Sequence, residues 1–194
     1  VYGDIDFLVS GDQLRKITLD HSSSPELWFN IPFSRLPLKW DIGLNPSIPI
    51  GLSVEGGSGS VEMDLSSMKL TSTTIDVGSV SIDLTLPSNQ NGYTAELMGG
   101  SGSLRVRVTD TYNLNLDLDG GSGSIKVDLP ANSAIRVEVY DDGSGSLSLP
   151  NQLVKIQNGD DKDEGVWQTE NYDEEKYKIL IRILDAGSGS ITFR

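Results

Sequence analysis

Apolar and polar residues alternate along most of the chain, which is the pattern of β-strands that bury one face. In "SLRVRV" (103–108) and "SIKVDL" (124–129) every second residue is apolar. The segments "SIPIGLSVEGG" and "NLNLDLDGG" alternate in the same way and lead into paired glycines. The pattern therefore predicts an all-β protein built from many short strands.

A glycine motif recurs between these strands at a nearly constant spacing. The sequence GSGS begins at five positions, and a degenerate copy, "VGSVSIDLTLP", supplies a sixth glycine: Gly57, Gly78, Gly100, Gly121, Gly143 and Gly187. Successive spacings are 21, 22, 21, 22 and 44 residues. Because 44 is twice 22, Gly165 marks a missing position of the same period. A flexible linker has no reason to keep such a period.

The residues after each glycine mark support a repeated structural unit. Four positions after the marks stand apolar residues, with Thr169 as the exception: Val61, Ile82, Leu104, Ile125, Leu147 and Ile191. Each unit is thus predicted to be strand, glycine corner, strand and turn. A unit this short buries its apolar face only by stacking on its neighbours. We therefore predict a right-handed parallel β-helix (solenoid) with 21–22-residue coils.

The same period predicts the domain organisation. We expect residues 1–194 to form a single β-solenoid domain. Residues 1–50 keep the alternation but lose the period, and they hold five of the eight prolines, so we expect an irregular N-terminal cap with the first coils. Residues 51–194 are predicted to form regular coils, interrupted at 157–178 by an acidic insertion with eight acids and three lysines.

Charge and composition exclude several classes of partner. The chain has 28 acidic and 15 basic residues and a net charge of −13, which disfavours nucleic acid and anionic membrane surfaces. It has no cysteine, and therefore no disulfide, thiolate metal site or cysteine nucleophile. No apolar run approaches the length of a membrane span. Any membrane attachment is expected to need a segment absent from this chain.

No catalytic centre or metal site is predicted. The single histidine, His21, lies in the polar stretch "DHSSSP", where we expect a solvated turn and no partner for a serine nucleophile. The calcium-binding nonapeptide requires an aspartate where this chain has Val61, Leu104 and Ile125. A row of acids stands two residues before most marks, and we expect it to be solvated: Glu55, Asp76, Asp119, Asp141, Asp163 and Asp185, with Met98 interrupting it. We expect no catalytic residue, no cofactor and no metal.

Charged residues on the outer face are expected to pair between neighbouring coils. In the predicted register, Asp83 lies opposite Arg105 and Arg107 lies opposite Asp128. Exposed pairs of this kind contribute about 0–1 kcal/mol each. We therefore interpret them as marks of the strand register rather than as a functional site.

The insertion 157–178 holds the candidate binding residues, Trp167, Tyr172 and Tyr177. Regular coils are committed to stacking, so departures from the period are where a specific surface can be added. Aromatic rings beside acids suit a glycan or a basic peptide. The alternative is that Trp167 packs over the last coil, where Thr169 and Asn171 leave the core incomplete.

The repeated "GSGS-apolar-x-apolar-D-L-P" units and the ending "GVWQTENY…YKILIRILDAGSGSITF" resemble the bacterial toast-rack or "putative-adhesin" β-solenoid families. They are also similar to the C-terminal domain of LiaF-like cell-wall-active-antibiotic response proteins. The resemblance rests on roughly residues 50–194. It implies an extracytoplasmic or cell-envelope location in a bacterium and no known enzymatic activity.

Two functions from different classes follow. The first is a non-enzymatic cell-envelope solenoid, an adhesion-like interaction module or the sensory module of an envelope-stress system, with an unknown protein or glycan as partner. The second is a glycan-active β-helix enzyme that uses acidic residues near the 157–178 insertion.

Overall fold

A computed structural model describes residues 4–10, 16–22, 39–88, 91–110 and 112–194. It divides the chain into two compact units, Val1–Leu44 and Asn45–Arg194. In the first unit, β1 (Asp4–Ser10) and β2 (Lys16–Ser22) form an antiparallel pair, with Ile5 opposite His21. His21 therefore belongs to a strand, and the expectation that it lies in a turn is wrong. Within the predicted N-terminal cap, residues 1–3, 11–15 and 23–38 lie outside the described residues.

The second unit is one curled, 12-stranded β-sheet. Its strands are β3 (Pro49–Asp64), β4 (Lys69–Leu86), β5 (Tyr93–Met98), β6 (Ser103–Val108), β7 (Leu114–Asp119), β8 (Ser124–Asp128), β9 (Ala134–Val139), β10 (Ser146–Ser148), β11 (Val154–Asn158), β12 (Gly165–Gln168), β13 (Lys178–Asp185) and β14 (Ser190–Phe193). All regular structure in the described residues is β, as predicted. No helix among them is long and apolar enough to span a membrane.

The sheet consists of two rows of strands that meet at the glycine corners. Strands before the glycines form the entry row, in the spatial order β3, β4, β5, β7, β13, β9, β12 and β11. Strands after the glycines form the exit row, in the order β3, β4, β6, β8, β14 and β10. The long strands β3 and β4 run through their corners without a break and join the two rows.

Apolar side chains of both rows meet in a single core. The predicted apolar positions after the glycines pair in register across the exit row, Val61 with Ile82, Ile82 with Leu104, Leu104 with Ile125, Ile125 with Ile191, and Ile191 with Leu147. Ile75, Leu97 and Leu118 of the entry row are buried and belong to the same cluster, against which the partly buried Val61 and Leu147 pack. The predicted alternation of inward apolar and outward polar residues is confirmed.

The order of the strands differs from the order of the repeats along the chain. The repeat that is last in the chain lies between the fourth and fifth repeats in the sheet. Its strand β13 lies between β7 and β9, and its strand β14 lies between β8 and β10. Gly165, expected to mark a coil, instead begins β12, which runs antiparallel to β9. Thr169 ends that pairing, because its N–H donates to the carbonyl of Ile135 at 2.9 Å and its hydroxyl accepts from the N–H of Ile135 at 3.1 Å.

The period does not predict this order because all repeats have the same pattern of glycine and apolar positions. Each one presents a glycine corner followed by inward apolar residues, so Ile191 fits against Ile125 as well as it fits against Leu147. Spacing specifies which positions align when two repeats pair. It does not specify which repeats are neighbours.

The outer-face ion pairs are diagonal rather than directly opposed. Arg105 donates to Asp128 at 2.7 Å, and Arg107 donates to Asp83 at 2.9 Å. The predicted partners are therefore wrong, although the predicted register is confirmed, with Asp83 opposite Arg105. A long arginine side chain reaches the diagonal neighbour two residues along the adjacent strand, and that geometry is available to long side chains on a sheet.

Candidate functional site

Residues 157–178 comprise most of a hairpin, formed by β11 and β12, and the turn that follows it, at the end of the entry row. Strands β11 and β12 pair antiparallel, and residues 159–164 connect them. The Glu164 carboxylate closes this connection by accepting the N–H groups of Asp160 at 3.2 Å and Asp161 at 3.1 Å. The hairpin adds two strands to the entry row beyond β9.

Trp167 lies on β12, directly between Lys155 of β11 and Val137 of β9. Its ring is partly buried and packs against the core. The Lys155 ammonium lies 4.6 Å from the ring centroid, which is a cation–π contact, and donates to the carbonyl of Lys162 at 2.8 Å. The sequence had left open whether Trp167 covers the core or binds a partner. Trp167 therefore covers part of the core and keeps part of its ring exposed.

Tyr172 is buried, with 8% of its surface exposed. The guanidinium of Arg136 lies 4.3 Å from the ring centroid, and that guanidinium also donates to Gln168 at 2.7 Å. Burial raises the pKa of the Tyr172 hydroxyl, and the positive charge of Arg136 partly offsets this effect. These contacts hold the turn after β12 against β9. Tyr172 therefore packs at the junction of β9 and this turn.

Tyr177 is half-buried and makes a different set of contacts. Its ring lies 4.9 Å from that of Tyr112, at an interplanar angle of 59°, and the Lys176 ammonium lies 4.9 Å from the ring centroid. Within the described part of the chain, the three predicted aromatic residues have no ring contact with one another. The structure therefore distributes Trp167, Tyr172 and Tyr177 over three separate contacts rather than gathering them into one site.

A notch at the end of the stack was missed by the sequence analysis. It has a volume of about 320 Å³ and lies between the corner and exit strand of the fifth repeat (142–149) and the side chains of Asp163 and Trp167. We call it the open-end notch. Leu147 and Leu149 give it an apolar floor, and Asp142 and Asp163 give it an acidic rim. It exists because the last repeat is not at the end of the stack, which spacing alone did not indicate.

Three carboxylates gather beside this notch. The carboxylate oxygens of Asp141, Asp142 and Glu164 lie within 4.8 Å of one another. Oxygen ligands of this kind suit a hard cation such as Ca²⁺. Asp141 also accepts the N–H of Gly143 at 2.8 Å, which helps to hold the glycine corner. The predicted carboxylate row is only partly formed. Glu55 lies opposite Asp76 and Asp119 lies opposite Asp185 on neighbouring strands, but Asp163 lies outside the row, in the hairpin connection.

The outer surface of the entry row carries a bidentate ion pair. Arg182 on β13 donates twice to Asp117 on β7, with both distances 2.7 Å, and this raises the pKa of Arg182. Next to it, the Tyr140 hydroxyl donates to Glu138 at 2.9 Å, which raises the pKa of Tyr140. The Arg182–Asp117 pair joins β13 to β7 at the position where the last repeat is inserted, between β7 and β9.

Comparisons with known proteins agree with this architecture. Residues 5–107 match the N-terminal domain of toast_rack, DUF2154, which is more than half of the chain and begins well before residue 50. The crystal structure of a "putative cell adhesion protein" from Clostridium sporogenes ATCC 15579 superposes with a TM-score of 0.54 at 20% sequence identity, covering 98% of this chain and 74% of that one. At this identity the likeness shows the fold. No curated protein matches. The chain belongs to the toast-rack family.

Proposed function

We propose that this chain is a non-enzymatic interaction module of the bacterial cell envelope, and that its binding surface lies at the hairpin of residues 157–178. The observation that carries the proposal is Trp167, which remains partly exposed and lines the open-end notch. Membership of the toast-rack family and a fold shared with a "putative cell adhesion protein" support an envelope role. The proposed partner is a protein or a glycan.

The location is tested by fractionating the native bacterium and exposing intact cells to protease. We expect the chain in the envelope fraction and accessible from outside the cytoplasm. Recovery in the cytoplasmic fraction alone, with full protection from protease, would overturn this part of the proposal.

The function is tested with a bacterial glycan array and with native envelope extract as probes. Trp167→Ala should weaken binding, whereas Leu184→Ala should not, because Leu184 is 48% exposed on β13 and does not line the notch. Assays of reducing-sugar release on the bound glycans should remain at background. Release of sugar would overturn the non-enzymatic assignment.

We also propose the finer architecture, namely a right-handed solenoid with 21–22-residue coils that folds with residues 1–44 as one domain. Register supports the coil length, since Val61 pairs with Ile82 and Ile82 with Leu104. A crystal structure tests the handedness. Calorimetry of the whole chain tests the single domain, because one domain predicts a single cooperative transition.

A further inference from the structure

The exit row ends at β10, whose outer edge has no neighbouring strand in the described structure. The corner that leads into β10 stacks on the corner that leads into β14. There the carbonyl of Gly187 accepts the N–H groups of Ser144 and Gly145, and the carbonyl of Gly189 accepts the N–H of Ser146. The equivalent carbonyls of the terminal corner, those of Gly143 and Gly145, accept no hydrogen bond within the described residues. The corners of Gly100, Gly121 and Gly187 use both of these acceptors, whereas no described residue uses them at the open-end notch.

The strand itself offers a donor at the same edge. Consecutive N–H groups of a β-strand point to opposite sides. The N–H of Ser146 points towards β14, since it donates to Gly189 at 2.9 Å. The N–H of Leu147 therefore points to the free edge, where an added strand would find it.

The end of the sheet has room for a strand beside β10. The entry row continues for two strands beyond β9, whereas the exit row stops at β10. Strands lie about 4.8 Å apart, so the hairpin rises ~10 Å above the level of β9. A strand laid on β10 would lie under this overhang, with Trp167 beside it and Leu149 at the floor.

The corner restricts the sequence that can follow this path. A Cβ on Gly143 would lie 2.2 Å from the carbonyl oxygen of Gly187, and one on Gly145 would lie 2.1 Å from that of Gly189. A segment that stacks on Gly143 and Gly145 in the same manner meets the same obstruction. It therefore needs glycine at two positions separated by one residue.

The charge around the notch selects a cationic segment. Asp142 and Asp163 line the notch, and Asp141 and Glu164 lie beside it. None of these four carboxylates has an ion-pair partner among the described residues. The nearby ammonium of Lys155 is directed to the ring of Trp167 and the carbonyl of Lys162. A second copy of the chain, with a net charge of −13, would be repelled.

We propose that β10 accepts an extended, positively charged Gly-x-Gly strand of a partner protein, which extends the exit row beneath Trp167. This is strand addition to a sheet edge, in which backbone hydrogen bonds supply affinity and side-chain positions supply specificity. The inference rests on the proposed function, and it names the partner class and the backbone edge that the partner uses.

The test uses the whole chain and a fluorescent synthetic peptide, Lys-Lys-Gly-Ser-Gly-Ser-Ile-Lys-Val-Lys. Fluorescence anisotropy should show saturable binding with one peptide per chain. Amide exchange of Leu147, followed by NMR, should slow when the peptide binds, because its N–H gains an acceptor. A peptide held only by surface charge would leave that exchange unchanged, which would overturn the proposal.

Two control peptides separate backbone stacking from charge. Replacing both glycines by alanine should weaken binding by at least about tenfold, since each Cβ would meet a carbonyl oxygen. Replacing all lysines by glutamates should abolish binding at the same salt concentration. Equal affinity for the glycine and alanine peptides would contradict the stacking geometry.

Matched protein variants locate the charge effect. Asp142→Asn should weaken binding up to about fivefold, whereas Asp76→Asn, which removes the same charge from an exposed position on β4, should leave the affinity unchanged. Melting curves of both variants establish that they are folded. Equal losses for the two variants would indicate long-range attraction alone and would contradict a site at the notch.

Two further outcomes bear on the inference. A concentration-dependent dimer that competes with the peptide would replace the basic partner by a second copy. If the peptide does not bind but Trp167-dependent binding to glycan or envelope extract persists, the edge inference fails and the proposed function stands. If no probe binds, both fail.

Discussion

Gly123 lies directly against the carbonyl of Gly102 in the neighbouring corner, and a Cβ at Gly123 would come within 1.8 Å of that oxygen. The same carbonyl accepts the N–H of Ser124 at 3.1 Å, so the close approach and the hydrogen bond that joins the repeats depend on each other. Close stacking of backbone on backbone, a known reason for glycine within strands, therefore explains the motif glycines from Gly100 onwards, whereas the first copy, at Gly57 and Gly59, has no such contact among the described residues.

This contact predicts that Gly123→Ala is strongly destabilising, by about 3 kcal/mol or more, because backbone must move to admit the methyl group. The matched control is Gly57→Ala, where a Cβ meets nothing within 4 Å among the described residues and the cost should stay within about 0.5 kcal/mol. Urea unfolding of both variants measures the difference. Equal losses would show that the corner glycines serve something other than close packing.

The inside and outside positions of β8 give a second prediction. Val127 is fully buried, whereas its neighbour Lys126 is only half-buried on the opposite face. Val127→Asp should reduce the free energy of unfolding by several kcal/mol, because an unpaired carboxylate enters the core. Lys126→Ser should change it by about 0.5 kcal/mol or less. Similar melting temperatures for the two variants would contradict the assignment of faces.

Sequence analysis predicted the strands and their faces but not their arrangement. Alternation identifies Val127 and Ile191 as core residues because burial depends on the residue itself and on its immediate neighbours in the strand. The insertion of β14 between β8 and β10 depends on a comparison of nearly equivalent pairings, and no local pattern encodes that comparison. The open-end notch and the diagonal reach of Arg105 to Asp128 follow from the arrangement and were missed with it.

The burial of the Tyr93 hydroxyl predicts a loss of stability at high pH. Its hydroxyl is buried and donates to the carbonyl of Pro87 at 2.9 Å, and burial raises its pKa above the ordinary value. A pKa that is higher in the folded state contributes stability below the unfolded value of about 10, and this contribution is lost as the pH rises through the folded pKa. Unfolding curves from pH 8 to 12 should therefore show a decline that Tyr93→Phe reduces.

The same variant loses a hydrogen bond, so at pH 8 it should be less stable by about 1 kcal/mol. A decline above pH 10 that is as steep in Tyr93→Phe as in the parent chain would assign the effect to other groups. Tyr140→Phe serves as the exposed-tyrosine control for Tyr93→Phe. Tyr140 is 57% exposed, and its pKa is raised chiefly by its hydrogen bond to Glu138 rather than by burial.

Trp167→Ala separates the two roles of this side chain. A fully buried tryptophan costs ~3–5 kcal/mol when truncated, and Trp167 is only partly buried, so we expect about 1–3 kcal/mol. Lys155→Met should retain the packing of the stem and cost about 1 kcal/mol or less through the lost cation–π contact. A loss as large as that of a buried tryptophan would assign Trp167 to the core and withdraw it as a binding residue.

Calcium provides the last test, because Asp141, Asp142 and Glu164 could share a cation. We nevertheless predict no structural calcium. Asp141 is already hydrogen-bonded to Gly143 at 2.8 Å, and Glu164 accepts two N–H groups of its own hairpin connection, so both carboxylates have partners without an ion. The melting temperature should be the same in calcium and in EDTA, since an ion that bound only the folded state would stabilise it by RT ln(1 + [L]/Kd). A rise in calcium that EDTA reverses and Asp142→Asn removes would contradict this prediction and identify the three carboxylates as a metal site. If Asp76→Asn removed the rise equally, the ion would instead be bound elsewhere on the acidic surface.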